Sequence, residues 1–306
     1  MNNSIHQAAI QKAAKDRFKG HQKLPSKAKP IYPQGIEREF QRVTNGYILL
    51  VNRVMKKHLP EIRKAAAAER EKNRRQDDLS DLMKVVDKAF RSMGEELDRE
   101  TAKYGLREKL EGLANLTRKL SIQEWKREVK ETLGLDILDD YYLGEFYRQH
   151  LQEWIEENVG LIKSIPQDTL SEMQNIVSQG FRTGKTVTSI VKDIQTTYGS
   201  KKSSARLIAR DQLGKLNSQL TRQQQVDAGV NEYIWSTSGD SRVRDSHQAL
   251  NGKKFRWDDP PVVTEPGKPV RRCHPGEDYQ CRCVALPVFD ISTIDIPASG
   301  RSKGGG

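Results

Sequence analysis

Apolar positions along most of this chain recur three and four residues apart, which is the spacing of one buried face of an α-helix. The segments that show this spacing are residues 36–58, 82–97, 138–163, 166–180, 187–198 and 203–228. Pro60 is expected to end the first of these helices, because proline removes a backbone donor and clashes with the preceding turn. Gly199 is expected to separate the last two, since glycine is common just beyond a helix C-terminus. The pattern therefore predicts a mainly α protein.

The pattern changes after Gly229. Residues 231–238 and 283–289 are short runs rich in β-branched, aromatic and other apolar side chains, and each predicts a strand. Pro287 indicates that the second strand is short or lies at a sheet edge, because proline cannot donate to a ladder. Residues 239–280 hold most of the turn dipeptides. We therefore expect a long helical N-terminal region, then a helical body, and then a small C-terminal α+β module that is rich in loops.

These elements divide the chain into four parts. Residues 1–35 mix Lys, Gln and Ser with three prolines and predict a basic flexible arm. Residues 36–149 predict a helical region to which we assign no role. Residues 150–290 predict one domain, helical over 150–229 and α+β over 230–290. Residues 291–306 are rich in Gly and Ser and predict a flexible tail.

Composition excludes several classes of protein. The chain has 306 residues, of which 35% are hydrophobic, and contains no run of 18 apolar residues, so we expect no membrane span. Residues 1–20 lack an apolar core followed by a cleavage site, so we expect no secretory signal. The three cysteines all lie within residues 273–283. An odd and tight cluster cannot form a disulfide framework, which points to a metal or to local structure.

The positive charge is concentrated near the N-terminus. Residues 1–80 hold 18 Lys and Arg against 8 Asp and Glu, whereas residues 81–306 hold 34 against 33. A basic segment on a near-neutral body predicts a polyanion or an acidic protein surface as partner, with Lys56, Lys57, Arg74 and Arg75 as contacts. Aromatic residues are sparse there, which argues against sequence-specific reading of single strands. The alternative is a solvated, partly disordered tail.

Five soft or borderline metal ligands lie within residues 247–283. They are His247, Cys273, His274, Cys281 and Cys283. Zinc prefers four tetrahedral nitrogen and sulfur ligands and can organise a module too small to build its own core. We expect a structural zinc held by His247, Cys281, Cys283 and one of Cys273 or His274. The alternative is that Cys281 and Cys283 alternate along a flat strand and face opposite sides, so that a shared metal needs a bulge or a strand start at Cys281.

A polar loop accompanies these ligands. Asp240, Arg242 and Arg244 are expected to form ion pairs that fix the loop, although such a cluster can also bind phosphate or transfer protons. Arg206 and Arg210 lie four residues apart on one helix face, where they can pair with that loop or contact a partner.

An open zinc position beside Glu277 would resemble a hydrolase site. However, the chain has no His-Glu-x-x-His motif, nucleophile elbow, P-loop or dinucleotide fingerprint. We therefore expect no enzyme.

Four ordered motifs resemble the phage head morphogenesis domain, the Mu F-like family of minor head (minor capsid) proteins of tailed phages. The motifs lie at residues 157–166, at residues 206–211, at residues 233–235 leading to 240–247, and at residues 274–276 leading to 281–283. The resemblance covers about residues 150–288, and residues 1–149 match no family that we can name.

The resemblance implies a structural virion component that is present in few copies. It implies association with the portal and the major capsid protein in the head interior or at the portal vertex, and a role in head assembly and in DNA packaging or ejection. The basic N-terminal half fits non-specific binding to double-stranded DNA. During assembly the protein is expected in the host cytoplasm. One alternative is a zinc-dependent nuclease or hydrolase that acts in head maturation, and another is a plain DNA-binding protein with no virion role.

Overall fold

The computed structural model describes residues 2–72, 80–137 and 140–296, and in them the protein is mainly helical with one small sheet. The helices are α1 Asn2–Phe18, α2 Gln34–Lys72, α3 Ser80–Lys103, α4 Leu106–Leu133, α5 Glu145–Lys163, α6 Ile165–Arg182, α7 Val187–Asp227 and α8 Asp245–Gln248, with a 3-10 turn at Asp140–Leu143. The strands are β1 Lys23–Pro25, β2 Glu232–Ser236, β3 Lys254–Arg256 and β4 Val284–Asp290. This confirms the predicted fold class. No helix among the described residues is long and apolar enough to cross a membrane.

Two helices continue through residues that were expected to end them, so those two predictions are wrong. Pro60 lies inside α2, and Gly199 lies inside α7. Proline removes one intrahelical hydrogen bond, but Ile62 and Ala66 beyond it are both buried, so packing of the apolar face maintains the helix. Beyond Gly199 the buried face resumes at Ala205.

The four strands form one antiparallel sheet in the order β1-β4-β2-β3. Strand β4 is therefore central rather than an edge strand. Pro287 is tolerated there because its carbonyl faces the β1 side, where it accepts the Ser26 amide N–H at 2.8 Å. The N–H and C=O of one residue point to the same side of a strand, so the missing donor also faces that side. The regular β1 pairing ends at Val288, so the missing donor lies just beyond that ladder and does not face β2.

Residues 1–35 do not form the extended arm that their prolines predicted. They include α1 and β1, and Leu24 of β1 pairs with Phe289 of β4. Ala14 and Phe18 are buried. The physical reason is that this segment completes the sheet, so burial of its apolar residues outweighs its low helical periodicity. Of the predicted tail, residues 297–306 lie outside the described residues.

The chain divides into two compact units whose boundaries differ from the predicted ones. The first unit contains residues 1–37, 112–154 and 210–306, and the second contains residues 38–111 and 155–209. The first unit holds the sheet, and Phe289 of the sheet stacks on Trp125 of α4 at 5.9 Å between ring centroids. The second unit is helical, and α3 packs against α6.

Candidate metal centre and arginine-lined cavity

His247, Cys281 and Cys283 lie together in the first unit, and all three are buried. The Nδ1 atom of His247 lies 3.5 Å from Sγ of Cys281 and 3.6 Å from Sγ of Cys283. Among the residues that the structure describes, these three bring their ligand atoms within 4.8 Å of one another, which is the arrangement of a metal site.

The two thiols converge because the strand begins after them. Strand β4 begins at Val284, so Cys281 and Cys283 belong to the preceding turn and do not alternate across the sheet. Gln280 has a φ of 56°, in the left-handed region, and this residue makes the turn that leads into Cys281 and Cys283. Sγ of Cys281 then accepts the amide N–H groups of Gly276 and Cys283, both at 3.4 Å. The geometry required for a shared metal at these cysteines is therefore present.

The spacing of the ligand atoms suits zinc. With Zn–S bonds of ~2.3 Å and Zn–N bonds of ~2.0 Å, a tetrahedral site separates a sulfur from a nitrogen ligand by about 3.5–3.6 Å. The separations from Nδ1 of His247 to the two sulfurs match this value. Two thiolates and one imidazole are also a donor set that favours zinc over calcium or magnesium.

A buried carboxylate orients the imidazole. Nε2 of His247 lies 3.0 Å from Oδ2 of Asp278, while Nδ1 faces the sulfurs. Arg244 and Arg271 donate to the two carboxylate oxygens of Asp278 at 2.8 Å and 3.3 Å. A carboxylate on the far nitrogen is the usual support for a metal-binding histidine, since it fixes the ring and raises its basicity.

The charges in this cluster favour a cation between the three ligand atoms. Burial raises the pKa of Asp278, but its hydrogen bonds with His247 and Arg271 outweigh burial and lower it to about 2. Burial likewise lowers the pKa of His247, yet Asp278 and Cys281 raise it to about 9. A metal ion displaces the proton from a ligating histidine, so an environment that holds a proton on Nδ1 also favours a metal there.

The two thiols differ in acidity. The hydrogen bond from Cys283 lowers the pKa of Cys281 well below its ordinary value, against the effect of burial. The same hydrogen bond, together with burial, raises the pKa of Cys283. Cys281 is thus the first of the two thiols to become a thiolate, which is the form that ligates a metal.

The expected fourth ligand is not in this cluster. Nδ1 of His274 lies 2.9 Å from the Tyr233 hydroxyl, and the His274 ring lies against Trp257 at 4.8 Å between centroids. Burial lowers the pKa of His274, so it is a neutral core histidine. Cys273 is half-buried against the neighbouring apolar core, and burial raises its pKa to about 11. The structure therefore brings together three of the five predicted ligands, and the other two contact the core.

A cavity of about 100 Å³ adjoins the cluster, and four of its lining residues are arginines. It is lined by the three ligand residues together with Arg210, Ser238, Asp240, Arg242, Val243, Arg244, Gln280 and Arg282. Arg242 donates to the Asp240 carboxylate at 2.8 Å, so this predicted loop ion pair is present. Arg244 also donates to the Tyr279 carbonyl.

Glu37 near the start of α2 binds two of the arginines that line the cavity. Its side chain is 3% exposed, and it accepts from Arg282 at 2.6 Å and 2.8 Å and from Arg210 at 3.0 Å. Burial raises the pKa of Glu37, but the hydrogen bonds with Arg282 and Arg210 outweigh it and lower the pKa. Sequence reasoning missed both Glu37 and Asp278, because a single acidic residue in a charged chain carries no local signal.

The remaining predicted contacts lie elsewhere. Arg206 is exposed on α7 within the second unit. Lys56 and Lys57 are exposed on α2, where Lys57 donates to Glu96 at 2.8 Å. Arg74 and Arg75 lie outside the described residues.

Glu277, the candidate hydrolase residue, accepts the amide N–H of His274 at 2.8 Å and closes the turn at residues 274–277. It is not among the residues that line the cavity beside the metal cluster. This position gives Glu277 a structural contact in the turn.

Comparisons with known proteins find a family match over the region that contains this site. Residues 171–286 match the family model described as "Phage Mu protein F like protein". A protein of Haemophilus influenzae, described only as an uncharacterized protein, is 38% identical over 133 residues, which are 44% of this chain and 28% of that protein. The match thus spans less than a third of that relative's length. No solved structure matches the chain. Residues 171–286 are thus similar to the Phage Mu protein F like family, and the matched region includes all three cluster residues.

Proposed function

We propose that this protein is a minor head protein of a tailed phage that acts in head assembly and in genome packaging or ejection. The observation that carries the proposal is the Phage Mu protein F like domain at residues 171–286. The protein would be a virion component of the head interior or portal vertex, with the portal and major capsid proteins as partners, and would pass through the host cytoplasm during assembly.

We propose further that the basic N-terminal residues contact packaged DNA without sequence preference. The excess of 18 basic over 8 acidic residues within residues 1–80 supports this proposal. Lys56 is exposed on α2, and Lys57 is mostly exposed although it pairs with Glu96. Phosphate contacts of this kind position a protein on DNA and carry no sequence information.

The metal cluster is proposed to bind a structural zinc ion. The support is geometric: two buried thiols and an imidazole at tetrahedral spacing, with Asp278 behind the imidazole. The cluster ties α8, the 274–283 turn and the start of β4 into one unit. Loop-rich modules gain more from such a constraint than well-packed ones, because their own core contributes little. In this role the protein binds partners and is not an enzyme.

One observation favours the second candidate, a zinc-dependent nuclease or hydrolase that acts in head maturation. The cluster supplies three protein ligands, and three ligands with an open fourth position are typical of catalytic zinc. Metal removal separates the two functions. Loss of a structural ion should lower the melting temperature of the metal-binding unit, whereas loss of a catalytic ion should abolish DNA hydrolysis with little unfolding.

The direct test of the proposed function is the abundance of this protein in purified phage particles. We expect a small, fixed number of copies per particle, retained in heads that have not yet packaged DNA. Absence from both filled and empty particles would refute the virion role. DNA binding by the free protein without any copy in particles would instead support the plain DNA-binding alternative.

A further inference from the structure

The cavity beside the metal cluster has a composition that points to a ligand. Three of its lining residues are the proposed metal ligands, and four others are Arg210, Arg242, Arg244 and Arg282. Asp240 is the single carboxylate among the described lining residues. Clustered guanidinium groups facing a small cavity recognise planar or tetrahedral oxyanions, because each group presents several donors in a fixed fork.

The ion pairs around the cavity leave donors for such an anion. A guanidinium group carries five N–H donors. Arg242 uses its Nε and one terminal nitrogen on Asp240, and Arg282 uses the same two kinds of nitrogen on Glu37. Arg210 uses only its Nε on Glu37. The carboxylates around the cavity therefore hold the arginines in place without exhausting them.

The charge balance also favours an anion. The four lining arginines face three carboxylates, namely Asp240, Glu37 and Asp278. Asp278 binds His247 and Arg271 as well as Arg244, so its negative charge only partly neutralises Arg244. A zinc ion with two thiolates adds no net negative charge. The cavity wall thus retains a net positive charge.

The number of protein ligands also points to a bound anion. Zinc completes four positions, and His247, Cys281 and Cys283 fill three of them. His274 is engaged with Tyr233, and Cys273 packs against the apolar core, so neither completes the set. All three ligand residues also line the cavity, so a small group bound there lies beside the unfilled position. A cavity needs a volume of about 10–15 Å³ to hold one water molecule. The cavity of about 100 Å³ therefore has room for an oxyanion of five atoms.

We propose that this cavity binds a phosphate group, with one oxygen in the fourth coordination position of the metal and the others on Arg242 and the neighbouring guanidinium groups. The inference rests on the proposed zinc site. The phosphate can be free inorganic phosphate or a phosphodiester of the packaged DNA, which share the same tetrahedral chemistry. In either case the metal site gains a contact with an external ligand. A zinc ion with four protein ligands has no free position for such a contact.

The test uses the full chain loaded with Co²⁺, whose visible spectrum reports the ligands in a zinc site. Thiolate-to-cobalt charge-transfer bands establish that the metal site exists, and their absence would refute the zinc proposal itself. Inorganic phosphate is then titrated into the loaded protein. We expect the ligand-field bands to shift with saturation, whereas bands that stay unchanged by phosphate would overturn the inference and leave the metal site intact.

Matched variants assign the anion to the cavity. Arg242→Gln should weaken phosphate binding by about tenfold, the effect of one charge-assisted hydrogen bond. The control is Arg256→Gln, because Arg256 forms a similar exposed pair with Asp258 two residues away but does not line the cavity. Equal affinities in the two variants would contradict the proposal. Cys273→Ser should leave the cobalt spectrum unchanged, and a lost charge-transfer band would show that Cys273 fills the fourth position.

A second titration distinguishes the source of the phosphate. A short double-stranded oligonucleotide without terminal phosphates replaces inorganic phosphate as the probe. The same spectral shift with the oligonucleotide identifies a phosphodiester as the ligand. A shift with inorganic phosphate alone identifies a free-anion site.

Discussion

Glu37 offers the sharpest test of how this fold is held together. It lies at the start of α2, more than 240 residues from Arg282, yet it accepts two hydrogen bonds from that side chain and one from Arg210. Its carboxylate is 3% exposed, whereas the two arginines are 13% and 26% exposed. Glu37→Gln keeps the shape and one acceptor but removes the charge. Both guanidinium groups then stay partly buried without a counterion.

The expected cost follows from that burial. Removing one partner of a buried ion pair costs about 3–5 kcal/mol, because the remaining charge is left uncompensated. Water reaches part of both arginines, so we reduce the expectation to about 2–3 kcal/mol. For a unit of this size that is a loss of roughly 5–10 °C in melting temperature. The control is Glu39→Gln, whose partner Arg42 is 76% exposed and whose loss should cost less than about 1 kcal/mol.

The pH dependence gives an independent check by urea unfolding. The arginines lower the pKa of Glu37 below its ordinary value of 4.5, so its contribution is complete above that value and is lost as the pH falls through the lower pKa of the folded state. Protonated Glu37 resembles Gln, so the stability difference between wild type and Glu37→Gln should shrink under acid conditions. A difference that is near zero at neutral pH, or that grows as the pH falls, would refute this reasoning.

Three further outcomes are expected. Cys281→Ser should destabilise the unit that contains the sheet and lower its zinc content, and clean wild-type protein that contains no zinc by metal analysis would refute the proposed structural zinc. Asp278→Asn should weaken zinc binding about 10–100-fold in a chelator competition, because it removes the support of the ligating imidazole, while Asp258→Asn at an exposed pair should not. Charge reversal at Lys56 and Lys57 should reduce both retention on heparin and the salt dependence of DNA binding, and unchanged retention would contradict the basic contact.

The sequence predicted those parts of the fold that have a local cause. Helical stripes and the strands near residues 232–236 and 284–290 follow from side-chain periodicity, which acts over a few residues. Strand β1 has three residues and no alternation, and it forms because β4 offers it an edge. No local pattern encodes such a pairing, so three prolines gave the wrong expectation of an arm. The same limit explains α2, where burial of Ile62 beyond Pro60 decides the outcome.

The candidate site divides in the same way. Cysteine and histidine spacing identified His247, Cys281 and Cys283, because few residue types ligate zinc and their proximity in sequence is visible. The sequence could not choose between Cys273 and His274, and the structure gives both of them core contacts instead. Asp278 and Glu37 were missed because carboxylates are common, and only the fold brings each of them against two arginines.

The backbone around the two cysteines connects the surroundings of Glu37 with those of Asp278. Arg282 lies between Cys281 and Cys283, so the residue that binds Glu37 is held on both sides by proposed metal ligands. A shift of the backbone at either cysteine also moves the backbone of Arg282, and with it the guanidinium group that binds Glu37. Asp278 connects the same turn to His247 through its carboxylate. The cysteine pair and the Glu37 ion pair therefore restrain the same segment of this unit, between the start of α2 and the start of β4.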